Sequence, residues 1–312
     1  MDKNAALRTE EIIQTMKRFL KETYKEGEIK RNFHPKMHGC LKATLKIKPG
    51  IPPHLRHGIF KEEKTYEAWL RLSNAPPKPQ ADTSSSGRGL AIKILDVSGE
   101  DLDADPLGIP TQNFLLTSSP ILSTWNTKLY NRAIKAVLFG LWPRVWFALN
   151  PMHWRSIFLT FKYSKKHDNL LAITYFSGAA FSLGPTAKVK FVLVPKDYSL
   201  RYTLEKEKGE NFLREQLVKD LSEDKAIFTL GVQIHETEKK HPIENTSKVW
   251  EAPVEPLAEL HIPPQEFDTE ERDEFGEKLV FSPWIGLKAH EPLGELNLAR
   301  RRVYQELAAL RG

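Results

Sequence analysis

Cysteine is nearly absent from this sequence: Cys40 is the single one among 312 residues. One thiol cannot form a disulfide within the chain, and it cannot build a zinc site made of several cysteines. The first residues are charged and lack the apolar core of a secretory signal, so we expect a cytoplasmic protein. No apolar run reaches the roughly 18–20 residues of a membrane span, which leaves only contact with a membrane surface open.

Long runs of one charge are also missing. The net charge of +6 is spread along the chain, without a block of lysine and arginine, so nucleic acid is not an expected partner. The 40% apolar and 28% charged residues are values of a folded globular chain. No repeat and no low-complexity segment divides the sequence, and its length allows one large domain or two smaller ones.

Alternation of apolar and polar residues predicts strands. Every second residue of 41-LKATLKIK-48 is apolar, which is the period of a strand with one exposed face. The same period in 66-YEAWLRLS-73 puts Arg71 and Ser73 on one face. Further strands are predicted at 88–95, 113–117, 187–195 and 226–235. Since only short turns separate the first strands, the pattern favours an antiparallel sandwich or barrel over a doubly wound sheet.

Helical periodicity predicts an α+β protein. The predicted helical segments are 5–24, 122–162, 210–224 and 291–311. Within the second segment, residues 129–161 combine tryptophan and phenylalanine with lysine and arginine, and Pro143 and Pro151 interrupt them. This composition is typical either of a helix pair packed on the sheet or of helices lying at a membrane surface.

The C-terminal stretch 299-ARRRVYQELAALRG-312 brackets a tyrosine with arginines. At 100° per residue, Arg300, Tyr304 and Arg311 fall within about 40° of one another, beside an apolar seam. The stripe is either a solvated surface or a site that stabilises a phenolate. A free tyrosine has a pKa near 10, and an adjacent guanidinium or a ferric ion favours its ionised form. Phenolate is also the iron ligand of catalase haem.

The spacing R-x-x-x-Y-x-x-x-x-x-x-R in this stretch resembles the proximal haem motif of catalases. Upstream, 31-RNFH-34 resembles their distal motif, and 71-RLS-73 resembles the strand that supports the distal histidine. Other segments resemble catalase segments in the same order: 81-ADTSSSGRGLAIKIL-95, 105-DPLGIPTQNFLLTSSP-120, 242-PIENTSKVWE-251, 281-FSPW-284 and 291-EPLGELNLARRRVY-304. The resemblance covers residues 31 to 311 and is strongest to small catalase-related haem peroxidases.

This resemblance implies a single domain over residues 1–312, with a closed antiparallel β-barrel, flanking α-helices and a haem b cofactor. It implies an N-terminal helical arm over 1–30 and a barrel over 31–250 with a helical insertion around 122–162. Residues 251–312 would form a wrapping segment and the helix that carries the haem ligand. A homo-oligomer, with two copies of the chain, is expected.

The resemblance also assigns roles to single residues. His34 would act as the acid and base on the peroxide, and Ser73 would hold its ring. Tyr304 would be the axial ligand of the iron, with Arg300 as its partner. The remaining residues expected to contact the haem are Arg31, Phe33, Arg71 and Arg311. Arg31 and Arg71 would bind the propionates, and Arg311 would either join them or lie beside the phenolate. The other histidines, including His38 and His235, are interpreted as structural.

Two departures from the catalase pattern bear on the reaction. In 108-GIPTQNF-114, Ile109 stands where catalases have a distal asparagine, and Asn113 is the nearby candidate for its role. Phe33 replaces a small side chain before the histidine. We therefore expect weak or absent catalase activity, and reduction of hydrogen peroxide or organic hydroperoxides, including lipid hydroperoxides, by a small organic donor. The alternatives are an isomerase or dehydratase of fatty acid hydroperoxides that resembles allene oxide synthase, and a haem-binding protein without turnover.

Overall fold

The predicted strands form one antiparallel sheet. A computed structural model describes residues 3–24, 29–196 and 208–311 of the chain. The strands are β1 (Met37–Ile47), β2 (Thr65–Asn74), β3 (Arg88–Leu95), β4 (Thr111–Thr117), β5 (Tyr175–Phe176), β6 (Phe181–Leu183), β7 (Ala187–Lys196), β8 (Ala226–Ile234) and β9 (Val254–Ile262).

Eight of these strands close into a barrel in the order β5-β4-β3-β2-β1-β9-β8-β7. The two-residue strand β5 completes the ring, because it pairs with β4 through Phe176 and Thr117 and with β7 through Tyr175 and Leu193. β6 pairs with the other end of the same β7 edge. The sequence predicts an antiparallel sandwich or barrel, and the closed barrel implied by the resemblance is confirmed.

The barrel interior is filled by the apolar residues of the alternating strands. Leu41, Leu45 and Ile47 of β1 are buried in it, whereas Lys42 and Lys46 between them are exposed. Inward-facing side chains from the other strands complete the same cluster, as expected for a barrel of this size. Any site of this barrel that takes a large ligand must therefore lie outside it.

Seven helices flank the barrel in the described residues: α1 (Lys3–Thr23), α2 (Thr127–Leu138), α3 (Leu141–Leu149), α4 (Trp154–Tyr163), α5 (Phe212–Glu223), α6 (Glu270–Lys278) and α7 (Glu295–Ala309). A second apolar cluster joins α1, α2 and α7 through residues such as Ile12, Met16, Ile134 and Val303. No helix in these described ranges is long and apolar enough to cross a membrane.

The structure differs from the sequence predictions in three places. β9 and α6 fall within 251–312, for which only a wrapping segment and one helix were expected. The insertion contains three helices: Gly140, whose φ is +87°, separates α2 from α3, and residues 150–153 separate α3 from α4. The last helix spans Glu295–Ala309 and therefore ends before Arg311. The segment boundaries and the single domain stay predictions, and residues 25–28 of the predicted arm lie outside the described residues.

Candidate functional site

A cavity of about 690 Å³ lies between the outer face of the barrel and the helical layer. Strands β2, β3 and β4 form one wall, and α1, α2, α4 and α7 form the other. Its lining includes His34, Arg71 and Ser73 on the barrel side and Arg300 and Tyr304 on α7. The cavity therefore brings together residues that are far apart in the sequence: His34 and Tyr304 are separated by 270 positions.

His34 is held at the barrel wall by its backbone and its ring. Its φ of +61° is uncommon for a residue with a side chain and tends to occur where the surroundings hold it in place. Arg71 Nη1 donates to the His34 carbonyl at 3.0 Å, and the His34 amide donates to the Ala75 carbonyl at 3.3 Å. The ring Nδ1 lies 3.0 Å from Ser73 Oγ. These contacts direct the imidazole along the barrel wall.

Gly89 of β3 makes room for this ring. A Cβ atom on Gly89 would lie 2.5 Å from both Cε1 and Nδ1 of His34 and 3.2 Å from Ser73 Oγ. The two distances to the ring are shorter than real Cβ contacts, so a side chain at this position would displace the imidazole from the strand. Gly89 pairs directly with Ser73 across the two strands, which puts the ring beside its hydrogen-bond partner.

The surroundings of His34 favour its neutral form. Burial, assisted by the positive charges of Arg71, Arg31 and Arg300, lowers the pKa of His34 to about 3. A neutral imidazole has one nitrogen able to accept a proton and one able to donate a hydrogen bond. Because Nδ1 is engaged by Ser73, Nε2 is the nitrogen that a ligand can use as an acceptor.

Three arginines surround a single carboxylate at one end of the cavity. Glu277 of α6 accepts from Arg31 Nη1 at 2.8 Å and from Arg71 Nη2 at 2.6 Å. Arg311 also lines the cavity and interacts electrostatically with Glu277, Arg71 and Arg31. Three guanidiniums against one carboxylate leave a local excess of two positive charges.

The electrostatics of this cluster indicate that it is short of negative charge. Burial lowers the pKa of Arg31 well below its ordinary value, and Arg71 and Arg311 lower it further although Glu277 opposes them. Burial also lowers the pKa of Arg311. For Glu277, burial raises the pKa, but Arg71 and Arg31 outweigh it and the net shift is downward. Arg71 Nε is buried without a hydrogen-bond partner, so the cluster can accept a further anionic group.

Tyr304 and Arg300 lie one helical turn apart on α7. Arg300 Nη2 is 3.5 Å from the phenol oxygen, at the long limit of a hydrogen bond, and the guanidinium carbon is 5.5 Å from the ring centre. Arg300 Nη1 donates to Asn297 Oδ1 at 3.0 Å, which fixes its direction. This geometry puts a positive charge beside the phenol, as a phenolate ligand would require.

The structure brings together all but one of the residues that the sequence analysis selected. His34, Ser73, Arg31, Phe33, Arg71, Arg300, Tyr304 and Arg311 line the one cavity. Asn113 does not: it is fully buried on β4 opposite Lys93, and neither polar atom of its side chain has a partner. Ile109 precedes β4 in a turn and is also outside the lining. The individual catalytic and binding roles stay predictions.

Sequence reasoning missed four residues of the site. Glu277 carries no local signal, because it is one of many charged residues in α6. Tyr130 lines the cavity, and burial, together with nearby Tyr304, raises its pKa. Asn32 lines it with an unpaired Oδ1. Only Gly89 could have been found, since a glycine inside a strand pattern indicates a close approach by another group.

Comparison with known proteins supports the fold. No protein-family model matches the chain, and no curated protein matches it. Among solved structures, a fungal catalase has a TM-score of 0.70 at 15% identity, over 94% of this chain and 61% of that one. Catalase A from Saccharomyces cerevisiae has a TM-score of 0.71 at 15% identity, over 94% and 63%. A bacterial catalase has a TM-score of 0.66 at 16% identity, over 94% and 59%.

The chain therefore has a catalase-like fold: a closed antiparallel eight-stranded barrel with flanking helices. It spans about three fifths of the length of the catalases it matches. At 15–16% identity the likeness establishes the fold alone. The reaction must be argued from the cavity.

Proposed function

We propose that this protein is a haem-dependent peroxidase that reduces hydrogen peroxide or organic hydroperoxides with a small organic donor. One observation carries the proposal: a buried neutral imidazole, a phenol beside a guanidinium and an excess of arginines line the same cavity. The proposed localisation is cytoplasmic, and the proposed oligomer is a homodimer.

The cavity residues fit haem b. The volume of about 690 Å³ lies in the range of cofactor sites in proteins, about 300–1,000 Å³. Haem b carries two propionates, which match the excess of two positive charges around Glu277 and the unpaired Nε of Arg71. We assign the propionates to Arg31, Arg71 and Arg311, since guanidiniums bind carboxylates in a bidentate manner. Phe33 contributes an apolar part of the wall.

We assign the iron to the phenolate oxygen of Tyr304. No group of three or more His, Cys, Asp or Glu side chains in the described residues could hold a metal ion. A porphyrin requires only one protein ligand, and tyrosine is a known one. Arg300 would stabilise the phenolate through its charge. Ferric haem, when bound, would supply the two electrons that reduce a peroxide O–O bond, and the organic donor would replace them.

His34 would move the proton. Its Nε2 accepts the proton of a peroxide ROOH and returns it to the other oxygen, which leaves as ROH. Ser73 keeps the ring in place through Nδ1 during both transfers. Two electrons and two further protons come from the organic donor, so the balanced products are ROH, H₂O and the oxidised donor. The low pKa of His34 keeps the base available over the physiological pH range.

Peroxidase turnover suits this cavity better than disproportionation of hydrogen peroxide. Catalases use an asparagine beside the distal histidine, but Ile109 and Asn113 are both outside the cavity lining. A donor that is a different molecule from the oxidant removes the need to bind two peroxides in turn. We therefore expect little or no catalase activity.

Stopped-flow mixing tests the proposal. The haem-loaded protein is mixed with hydrogen peroxide and, in parallel, with a fatty acid hydroperoxide, with and without a phenolic donor. We expect donor oxidation that His34→Ala slows about 10²–10⁴-fold while haem stays bound. Tyr304→Phe should change the ferric absorption spectrum, and an unchanged spectrum would remove the ligand assignment.

Two other outcomes would replace the proposal. Rapid conversion of the fatty acid hydroperoxide to an epoxide without donor would indicate an isomerase resembling allene oxide synthase. Full haem loading without turnover of either peroxide would indicate a haem-binding protein that is not an enzyme.

A further inference from the structure

The helical insertion exposes a large apolar surface. Nine of the twelve exposed large apolar side chains in the described parts of the chain come from residues 137–161. They are Val137, Leu141, Trp142, Trp146, Leu149, Met152, Trp154, Phe158 and Phe161, and Met152 is 78% exposed. We call these nine residues the apolar face. Exposed apolar residues gathered in this way indicate a surface that binds something.

The helices of the insertion present these residues in stripes. At 100° per residue, Trp154, Phe158 and Phe161 of α4 fall within about 60° of one another. The four exposed large apolar residues of α3 span about 140°. Among the described side chains of α3 none is buried, and of α4 only Ser156 is. The alternative that both helices pack against the barrel is therefore wrong for α3 and for the outer side of α4.

Hydrogen bonds and ring stacking stabilise the turn between α3 and α4. Asn150 Oδ1 accepts from the Met152 amide at 3.0 Å, and Trp154 Nε1 donates to the Ala148 carbonyl at 2.8 Å. His153 Nδ1 lies 2.9 Å from the Phe147 carbonyl, and its ring stacks on Phe147 with centroids 4.1 Å apart. These contacts hold the two helices as one unit while their apolar residues face solvent.

The charge around the apolar face has one sign. Residues 106–167 contain no aspartate and no glutamate. They contain eight lysines and arginines, all of them exposed: Lys128, Arg132, Lys135, Arg144, Arg155, Lys162, Lys165 and Lys166. The rest of the chain has 38 lysines and arginines (46 less these eight) against 40 aspartates and glutamates, so this segment carries a concentration of positive charge that the net charge of +6 does not reveal.

We propose that the apolar face inserts into the interface of an anionic lipid bilayer. Tryptophan, phenylalanine and leucine on one side, with lysine and arginine at the flanks, suit the boundary between acyl chains and headgroups. Each basic residue near an anionic surface adds to the attraction, which selects negatively charged lipid. A second copy of this chain is disfavoured as the occupant, because eight like charges would then face eight like charges.

The cavity lies directly behind this surface. Leu159, Thr160 and Tyr163, on the side of α4 opposite its apolar stripe, line the cavity. Val137 belongs to both the apolar face and the cavity lining, since it is 43% exposed and also lines the cavity. One helix therefore separates the candidate haem site from the proposed bilayer, and the cavity reaches the surface at its edge. If the proposed function is taken as the basis, this arrangement assigns the substrate to the class of membrane-lipid hydroperoxides.

Vesicle flotation tests the membrane proposal without reference to activity. Haem-loaded protein is mixed with vesicles of phosphatidylcholine alone or with roughly 30 mol% phosphatidylglycerol added as the anionic lipid. We expect the protein to float with the anionic vesicles. The triple variant Trp146→Ser, Phe158→Ser, Phe161→Ser should bind at least roughly tenfold more weakly, because three exposed apolar side chains are lost. These residues are exposed, so the fold should persist.

Matched controls separate this surface from general stickiness. Leu7→Ser, Leu107→Ser and Leu298→Ser together remove three exposed apolar side chains outside the apolar face and should leave flotation unchanged. Arg155→Gln with Lys162→Gln should reduce the preference for anionic vesicles, whereas Lys46→Gln with Lys61→Gln should not. Equal flotation of all variants would overturn the proposal. The proposal would also be overturned if the wild type did not float with any vesicles and formed a dimer that the triple variant converted to a monomer.

The substrate class has its own readout. A phospholipid hydroperoxide presented in anionic vesicles should be consumed faster by the wild type than by the triple variant, with equal rates for hydrogen peroxide. If the wild type and the triple variant consumed both substrates at equal rates, the assigned substrate class would be rejected, whereas the membrane proposal would be unaffected. No turnover of any peroxide would reject the proposed function, and flotation would still decide the membrane contact.

Discussion

The position of His34 depends on a neighbour without a side chain. Gly89 lets the imidazole lie against β3, Ser73 holds its Nδ1, and Arg71 holds its carbonyl. The left-handed backbone of His34 is therefore maintained by contacts that come from two adjacent strands. A general base needs this kind of placement, because a shift of about 1 Å can lower a rate about 10²-fold.

Gly89→Ala should impair the reaction while the fold and haem binding remain. The new methyl group would displace the His34 ring from Ser73, since it would lie 2.5 Å from the ring atoms. We expect peroxide cleavage in stopped-flow measurements to slow about 10²-fold. Gly87→Ala is the control, because its Cβ would meet Ala75 Cβ at 3.3 Å and Thr117 Oγ1 at 3.8 Å, and no atom of His34. Equal rates for both variants would show that the ring position is unimportant.

Glu277→Gln should lower the stability of the haem-free protein and increase the stabilisation that haem binding gives. The change removes the carboxylate that pairs with Arg31 and Arg71, leaving buried positive charge, at a cost of about 1.5–3 kcal/mol for the lost charged hydrogen bonds. Ligand propionates would then meet three arginines without a competitor. Thermal unfolding with and without hemin measures both effects.

The control for this variant is Glu274→Gln on the same helix, whose carboxylate pairs at the surface with Lys278. It should leave both the unfolding temperature and the hemin response unchanged. If hemin raised the midpoint of Glu277→Gln less than that of the wild type, the assignment of the propionates to this cluster would be wrong.

At the scale of elements, α7 joins the barrel to the helical layer. Asn297 Nδ2 donates to the carbonyls of Ala180 at 3.1 Å and Leu293 at 3.0 Å, and its Oδ1 receives Arg300. Trp284 Nε1 donates to the Asn297 carbonyl at 2.7 Å. The helix that carries Tyr304 is thus oriented by a buried amide two turns before the phenol.

Asn297→Leu should both lower the stability of the protein and change the position of Tyr304, the proposed iron ligand. The variant loses three side-chain hydrogen bonds and leaves the Ala180 carbonyl without its partner, so unfolding should be easier by about 2–3 kcal/mol. Arg300 also loses the group that directs it at Tyr304. Urea unfolding measures the first effect and the ferric spectrum the second.

Gln305→Ala on the same helix serves as the comparison for this variant. Gln305 is exposed and donates to Asp103 Oδ2 at 3.1 Å. We expect a change within about 0.5 kcal/mol and an unchanged spectrum. A spectrum unaffected by Asn297→Leu would contradict the orienting role of the amide.

At the scale of the whole molecule, the buried histidines make stability depend on pH. Burial lowers the pKa of His34 and of His290 to about 3 and that of His38 to about 4. In the unfolded chain a histidine has a pKa of about 6.5, so between these values the unfolded chain binds more protons. The free energy of unfolding must therefore fall as pH falls from about 6.5 towards 4.

This prediction is checked by measuring thermal unfolding midpoints at a series of pH values from about 7.5 to 4.5. The series covers most of the range, about 6.5 to 4, over which these histidines are protonated in the unfolded chain but not in the folded one. His290→Gln tests its origin: Nε2 of His290 accepts from the Ile59 amide at 3.1 Å, and the glutamine amide oxygen can replace it without titrating. The variant should show a shallower decline than the wild type. A midpoint that does not change with pH would show that these groups are not buried as neutral side chains.

Most of the barrel was predictable from local pattern, and the exceptions are instructive. The strand at 88–95 has the bounds of β3, and the period of two in 66–73 put Arg71 and Ser73 on the face that lines the cavity. β9 escaped prediction because residues 251–262 include prolines and charged residues that blur its alternation. β5 escaped because two residues are too short to show a period.

The sequence by itself determined the strand and helix periods and the spacing of Arg300 and Tyr304, since all of these depend on neighbours within a few residues. Tertiary structure alone decided that Glu277 meets Arg31 and Arg71, which lie 246 and 206 positions away. It also decided that Asn113 is outside the cavity and that the apolar face is uncovered. Barrel closure sets which distant residues meet, and no local pattern records that closure.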